Sequence, residues 1–394
     1  MQNRTIESTF RDLAQTYPVV TVTGPRQSGK TTLCRKVFPD KDYVNLEAPD
    51  ERQFAIEDPR GFLSAHPDGA ILDEIQRAPE LLSYLQPLVD ADNTPGRYIV
   101  TGSQQLSIRD ALSQSLAGRT GILVLLPFDY REIESYIQPS DTNRLILNGF
   151  YPRVHDRNIH PTKAMADYFD TYVQRDVRQL MQIRNAGLFE KFVRLCAGRI
   201  GQLLNLQSLG NDTGVSHTTA REWISILEAS YILFQLPPWH ANISKRLIKT
   251  PKIYFHDVGL AAYLLGMEEE KQIARDPLRG SLFENMVIAE ILKQHYNRGA
   301  RPRASFYRDS TGNEVDLVLE RGREYALIEI KAGQTVAKDY FRGMNQFKKI
   351  AGDRIRGGIV VYDGLKAQHR SDWHVLPAQN ISRLDSQIQS FFAD

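Results

Sequence analysis

The residues best equipped for chemistry lie near the start of the chain, in Gly24-Pro25-Arg26-Gln27-Ser28-Gly29-Lys30-Thr31-Thr32. Two glycines spanning four residues, followed by Lys-Thr, suit a loop that wraps a phosphate. Glycine lets successive backbone N–H groups converge on one anion, and a helix opening behind the loop adds partial positive charge. Lys30 would reach the β- and γ-phosphates, and Thr31 would hold Mg²⁺. The flanks fit, because 18–23 is an apolar run expected as a buried parallel strand and 33–38 is expected as a helix. A second apolar run ends in two acids, Ala70-Ile71-Leu72-Asp73-Glu74. In phosphate-loop enzymes the first such acid holds Mg²⁺, and the second can orient or deprotonate water, so Asp73 is assigned to the metal and Glu74 to the water. A third strand, 97–103, ends on Ser103, where a γ-phosphate sensor would sit.

A second chemical cluster lies near the other end. Glu314-Val315-Asp316-Leu317-Val318-Leu319-Glu320 and Tyr325-Ala326-Leu327-Ile328-Glu329-Ile330-Lys331 read as two strands joined by a hairpin with Gly322-Arg323 at its tip. That register pairs Leu317 with Ile328 and Leu319 with Ala326 on an apolar face, and sets Asp316 opposite Glu329 on the other face, with Glu314 opposite Lys331. Opposed carboxylates roughly 5 Å apart repel. A divalent cation between them would remove the penalty, with Glu284 as a further ligand and Lys331 activating water. This is a constellation for metal-assisted phosphodiester hydrolysis.

Composition bounds the rest. A chain of 394 residues has room for two or three domains. Cys34 and Cys196 are too few for a disulfide framework and show no metal-ligand spacing. Met1–Thr5 lacks the apolar core of a signal peptide, and the longest apolar run, 122–126, is far too short to span a membrane. A cytoplasmic location is therefore expected, with no membrane partner. A net charge of +2 leaves any nucleic-acid surface to local Lys/Arg clustering.

The elements that must position these residues follow from periodicity. Residues 1–150 alternate strand and helix, with strands at 18–23, 43–46, 70–73, 97–101 and 122–126 and a helix at 79–90, which predicts a parallel α/β sheet. Arg119, just before the last strand, is a candidate γ-phosphate finger acting in cis or on a neighbouring subunit, so a homo-oligomer, such as a ring, is expected. Residues 151–250 form a helical linker, then helix, helix, tight turn, helix and a strand at 231–234. That is a winged helix-turn-helix order. Ser216 is a candidate N-cap. His217, Thr218, Thr219 and Arg221 could face DNA, with Lys245, Arg246 and Lys249 as a basic patch. Residues 251–394 read as helix 281–295, strands 304–308, 314–320 and 325–331, helix 338–350 and strand 357–362. This αβββαβ order resembles the restriction-endonuclease-like core.

Taken together, the GPRQSGKTTL loop, the ILDEIQ strand, the VTGSQQL strand and the LAGRT turn resemble AAA ATPases of the AAA_14 type. The segments KIYFHDVGLAAYLL, GSLFENMV and EVDLVLE…LIEIK resemble the DUF4143 region fused to them. The resemblance implies an ATPase domain, a winged-helix middle and a PD-(D/E)xK-like C-terminal domain. ATP and Mg²⁺ would be held by Lys30, Thr31, Asp73 and Glu74, and Asp316, Glu329 and Lys331 would be nuclease-fold residues. The expected function is a Mg²⁺-dependent ATPase that binds duplex or branched DNA and couples ATP to its remodelling. Alternatives are an ATP-controlled nuclease and a nucleotide-dependent signalling or scaffold switch with a protein-docking C-terminal domain.

Overall fold

The computed structural model describes residues 3–102, 115–138, 141–157, 159–177, 185–239, 250–370 and 372–393. The chain divides into two compact units. The first is Met1–Phe128 with Ala229–Tyr231 and Tyr296–Ala300; the second holds the rest.

In the first unit, β1 (Val19–Thr23), β2 (Asp42–Asn45), β3 (Ala70–Asp73), β4 (Tyr98–Gly102) and β5 (Thr120–Val124) form a parallel sheet in the order β2-β3-β4-β1-β5. The expected strands lie within two residues of the observed ones. The cause is visible in the side chains: alternate residues feed opposite cores, and both are apolar. Val19, Leu72 and Val100 join one core with Leu81, Leu82 and Leu85. Val20, Val22, Ile71, Ile99 and Leu123 join the other with Phe10, Leu33 and Val37. Helix Leu81–Ala91 begins two residues later than expected, after a 3-10 turn over Ile75–Arg77. Parallel strands carry their following loops on one edge, and that edge gathers the residues after β1, β3 and β4.

The second unit is helical in its first part and then builds a mixed six-stranded sheet. Helices Ala186–Ala197, Leu206–Thr213 and His217–Ala229 precede β6 (Leu233–Leu236), which pairs antiparallel with β7 (Lys252–Phe255). Ser216 caps the third helix as expected, its hydroxyl accepting the Thr219 N–H at 3.0 Å. The strand expected at 231–234 starts at Leu233 instead, because Tyr231 takes a left-handed backbone, φ 55°. Helix Arg279–Asn297 leads to β8 (Ala304–Arg308), β9 (Glu314–Arg321), β10 (Glu324–Lys331), helix Arg342–Ala351 and β11 (Ile355–Tyr362). Two further strands, β12 (Gln368–Arg370) and β13 (Trp373–Pro377), extend the sheet to the order β12-β13-β11-β10-β9-β8.

The hairpin register is the expected one, with Leu317 beside Ile328, Leu319 beside Ala326, and Gly322-Arg323 as the two-residue turn. Both faces of the hairpin are buried. Val318, Tyr325 and Leu327 fill a core with Met344 and Phe347, while Leu317, Leu319, Ala326 and Ile328 are also buried. Gly343 lets the helix press against β9, since a Cβ there would lie 1.6 Å from the Glu314 carbonyl oxygen. Among the described residues, no helix is long and apolar enough to cross a membrane.

Candidate functional site

The loop after β1 is held on a narrow path. Gly24 (φ 147°) lies so close to Leu125 that a Cβ would sit 2.1 Å from its carbonyl oxygen, so glycine is required at this step. Gly29 (φ 93°) turns the chain into helix Lys30–Val37. The N–H groups of that helix's first turn have no intrahelical acceptors to serve, which is what makes such a terminus an anion site. Ser28 closes the loop internally, its hydroxyl donating to the Pro25 carbonyl at 3.0 Å. Arg26 lies 4.0 Å from Glu47, Gln27 sits at φ 61°, and Thr32 is exposed.

Lys30 is buried, and its ammonium donates to the carbonyls of Gly24 (3.1 Å) and Pro25 (2.8 Å). Burial pushes its pKa below the ordinary lysine value, with Glu74 and Asp73 pulling the other way from a distance. The Thr31 hydroxyl donates to Asp73 Oδ2 at 2.8 Å. The loop and the acid after β3 therefore converge, as the motif predicts. Two partners of Asp73 were not legible in the motif: the Tyr43 hydroxyl on β2, 2.8 Å from Oδ2, and the Thr101 hydroxyl on β4, which donates to Oδ1. Glu74 follows in a left-handed conformation (φ 60°). Its N–H reaches Thr101 Oγ1 at 3.3 Å, and Gln76 donates to its carboxylate. A groove of about 560 Å³ runs from Thr31 and Thr32 past Arg35 to Tyr43.

Arg4 is a further residue that sequence reasoning missed. It is nearly buried and donates to the Ser28 carbonyl (2.7 Å) and the Leu126 carbonyl (2.8 Å), with its guanidinium over the Phe128 ring. It straps the phosphate loop to the segment after β5. No local pattern marks an arginine so far from the loop in sequence.

Arg119 is a correction. It precedes β5 at the end of the sheet opposite the loop, paired with Val19, and its guanidinium binds both oxygens of Asp90. A role in cis at the phosphate loop is excluded by this placement. Ser103 lies outside the described residues.

In the second unit the acids gather, but on lysines. Lys331 lies 2.6 Å from Glu329 Oε1 and 3.6 Å from Asp316 Oδ2, and Asp316 also accepts the Ile330 N–H at 2.7 Å. Lys252, on β7, lies 3.1 Å from Glu284 and contacts Glu314, while the Tyr254 hydroxyl donates to Glu284. Glu314 is paired with Lys252 and Arg308 rather than with Lys331. Burial, then the neighbouring Asp316, pushes Glu284 up to about 7 and Glu329 well above the ordinary carboxyl value. Burial pulls Lys252 and Lys331 down, but the surrounding carboxylates outweigh it and raise both. Among the described residues, no group of three or more His, Cys, Asp or Glu side chains is arranged to hold a metal ion. Lys252 and Lys331 place positive charge against these carboxylates.

On helix His217–Ala229, Thr218 and Arg221 are exposed, and His217 and Thr219 are half-buried. Lys245, Arg246 and Lys249 lie outside the described residues.

A five-stranded parallel sheet, a glycine loop opening a helix, and a Lys-Thr pair facing an acid after a neighbouring strand define the P-loop ATPase fold. Comparison with known proteins agrees. Residues 16–134 match the AAA domain family AAA_14, 139–271 a domain of unknown function (DUF8612), and 279–381 a domain of unknown function (DUF4143). The uncharacterized protein Rv2008c of Mycobacterium tuberculosis is 32% identical over 340 residues, 85% of this chain and 75% of that protein. The uncharacterized protein MJ1637 of Methanocaldococcus jannaschii is 22% identical over 333 residues, 76% of this chain and 67% of that one. Among solved structures, the Walker-type ATPase PABY2304 of Pyrococcus abyssi matches with a TM-score of 0.45 at 15% identity, covering 66% of this chain and 94% of that one. A DNA replication initiation factor matches with a TM-score of 0.29 at 14% identity, covering 57% and 85%. The chain belongs to the family in which an AAA_14 domain is followed by a DUF4143 region.

Proposed function

We propose that this protein is a Mg²⁺-dependent ATPase whose active site is the 24–32 loop with Asp73 and Glu74. The observation that carries this reading is Lys30. Among the described residues its ammonium is buried against carbonyl oxygens alone, at the opening of a helix and beside the Thr31–Asp73 pair. A buried cation without a counter-charge in contact is costly, and a polyphosphate would supply that charge. Mg²⁺, when bound, would neutralise phosphate charge, and Thr31 and Asp73 are the residues to hold it. Tyr43 and Thr101 fix the Asp73 carboxylate in advance. Glu74, steadied by Gln76 and Thr101, would orient the attacking water and accept its proton.

We further propose that DNA is the partner, held by the exposed face of helix His217–Ala229 around Thr218 and Arg221. The capped turn before that helix favours this reading. The nuclease alternative rests on Asp316, Glu329 and Lys331, and the lysine pairing disfavours a metal there. The test is ATP turnover by the full chain with Mg²⁺, alone and with single-stranded, duplex and four-way branched DNA. Stimulation by one form, with salt-sensitive binding, is expected. Turnover indifferent to every form overturns the DNA reading. Mg²⁺-dependent cleavage lost in Asp316→Ala would restore the nuclease.

A further inference from the structure

The first unit takes in two stretches from elsewhere in the sequence, Ala229–Tyr231 and Tyr296–Ala300. Ala229 ends the third helix, His217–Ala229, and Ser230 and Tyr231 follow it before β6. Tyr231 is nearly buried in a cluster with Val124 and Leu126, the strand end and segment beside the phosphate loop. Its hydroxyl shares a 3.0 Å hydrogen bond with the hydroxyl of Thr23, the last residue of β1 and the one before Gly24. The same threonine is fixed on its other side, where the Leu125 N–H donates to its carbonyl at 2.8 Å and Leu125 crowds Gly24. Tyr231 reaches this place with φ 55°, a conformation that bulky residues rarely adopt. Glycine or asparagine would meet the backbone requirement more easily, so the ring and hydroxyl account for a tyrosine here.

We infer that Tyr231 is a positioning residue of the nucleotide site, holding the end of β1 so that the phosphate loop and the helix His217–Ala229 respond to each other. The inference rests on the proposed nucleotide site. Because Tyr231 is joined to that helix without an intervening loop, a shift of the helix end carries the tyrosine with it. The hydroxyl contact then moves Thr23, and Gly24 has no room to absorb the shift against Leu125. By reciprocity, nucleotide binding must alter the helix.

The experiment uses the full chain with Mg²⁺ and ATP or a non-hydrolysable analogue. Nucleotide affinity and turnover are measured for wild type, Tyr231→Phe, Thr23→Val and the double variant, with hydrogen exchange followed across 217–231. Tyr231→Phe keeps the ring and fold and removes only the hydroxyl. We expect it to weaken nucleotide binding about 5-fold, Thr23→Val, which also loses its 3.4 Å bond to the Leu123 carbonyl, to weaken it at least as much, and the double variant no more than Thr23→Val, because the two hydroxyls share one bond. Nucleotide should slow exchange in 217–231 in wild type, and less so in Tyr231→Phe. Wild-type affinity and an unchanged exchange response in Tyr231→Phe would overturn the inference while leaving the nucleotide site standing. Wild type that binds no nucleotide would instead overturn the proposed function, and this inference with it.

Discussion

Two lysine–carboxylate sites in this chain use the same residue types to opposite ends. At the phosphate loop, Lys30 touches only carbonyls, and burial pushes its pKa down. In the second unit, Lys252 and Lys331 each contact two carboxylates, and both are held above the ordinary lysine value. The first arrangement leaves a charge to be met by an incoming anion. In the second, carboxylates already meet each ammonium. A trio of Asp, Glu and Lys therefore does not by itself define a reactive centre; what matters is which charges are already in contact.

The sharpest way to break this comparison is to remove each ammonium without adding bulk. Lys252→Met strands Glu284 and Glu314 and should destabilise the fold by about 3–5 kcal/mol, as expected when one partner of a buried pair is lost. Lys30→Met removes a desolvated charge with no carboxylate in contact, and should leave the melting temperature of the nucleotide-free protein unchanged or higher. Equal losses in calorimetric scans would erase the distinction. A smaller effect is expected from Arg4→Ala. It unpairs the Ser28 and Leu126 carbonyls and should weaken nucleotide binding about tenfold, given roughly 1–3 kcal/mol for an unsatisfied buried group. Arg4→Lys should recover part of that loss.

The smallest effect concerns pH. Glu290 is buried, accepts the Tyr130 N–H at 3.1 Å and the Gln294 amide at 2.8 Å, and lies near Lys293 and Asp129. Burial, then Asp129, pushes its pKa up to about 8 from an ordinary 4.5. The folded state thus binds more protons than the unfolded state between those values, and stability falls as pH rises through them. Glu290→Gln cannot lose that proton. Its melting temperature relative to wild type should rise steadily from pH 5 to pH 8, and a flat difference would contradict the shift.

Much of this was legible in sequence because buried parallel strands announce themselves as apolar runs. β1 and β3 could be placed that way, and the Gly-Lys-Thr spacing located Lys30 and Thr31 at the opening of the helix after β1. The β9–β10 register was legible too as far as Leu317 and Ile328, since Gly322 marked the turn and a period of two fixed the pairs after it. The partners that tune the sites were not legible, because they arrive from distant sequence. Tyr43 and Thr101 meet Asp73 from two separate strands. Lys252 comes from β7 to neutralise Glu284 and Glu314, so a pattern confined to β9 and β10 left those acids short of a cation. Arg119 as a finger in cis misled for a related reason: its strand was placed correctly, but its end of the strand faces away from the loop. Tyr231 read as strand because aromatic and β-branched neighbours favour one, and its left-handed backbone has no local sequence signature.

Lys30 awaits a phosphate, and Lys331 does not. The most direct test is titration calorimetry of Mg²⁺–ATP into wild type, Lys30→Met and Lys331→Met. Wild type and Lys331→Met should bind alike, and Lys30→Met should lose affinity by about a hundredfold, near 2.7 kcal/mol. Undiminished binding by Lys30→Met, or a loss confined to Lys331→Met, would contradict it.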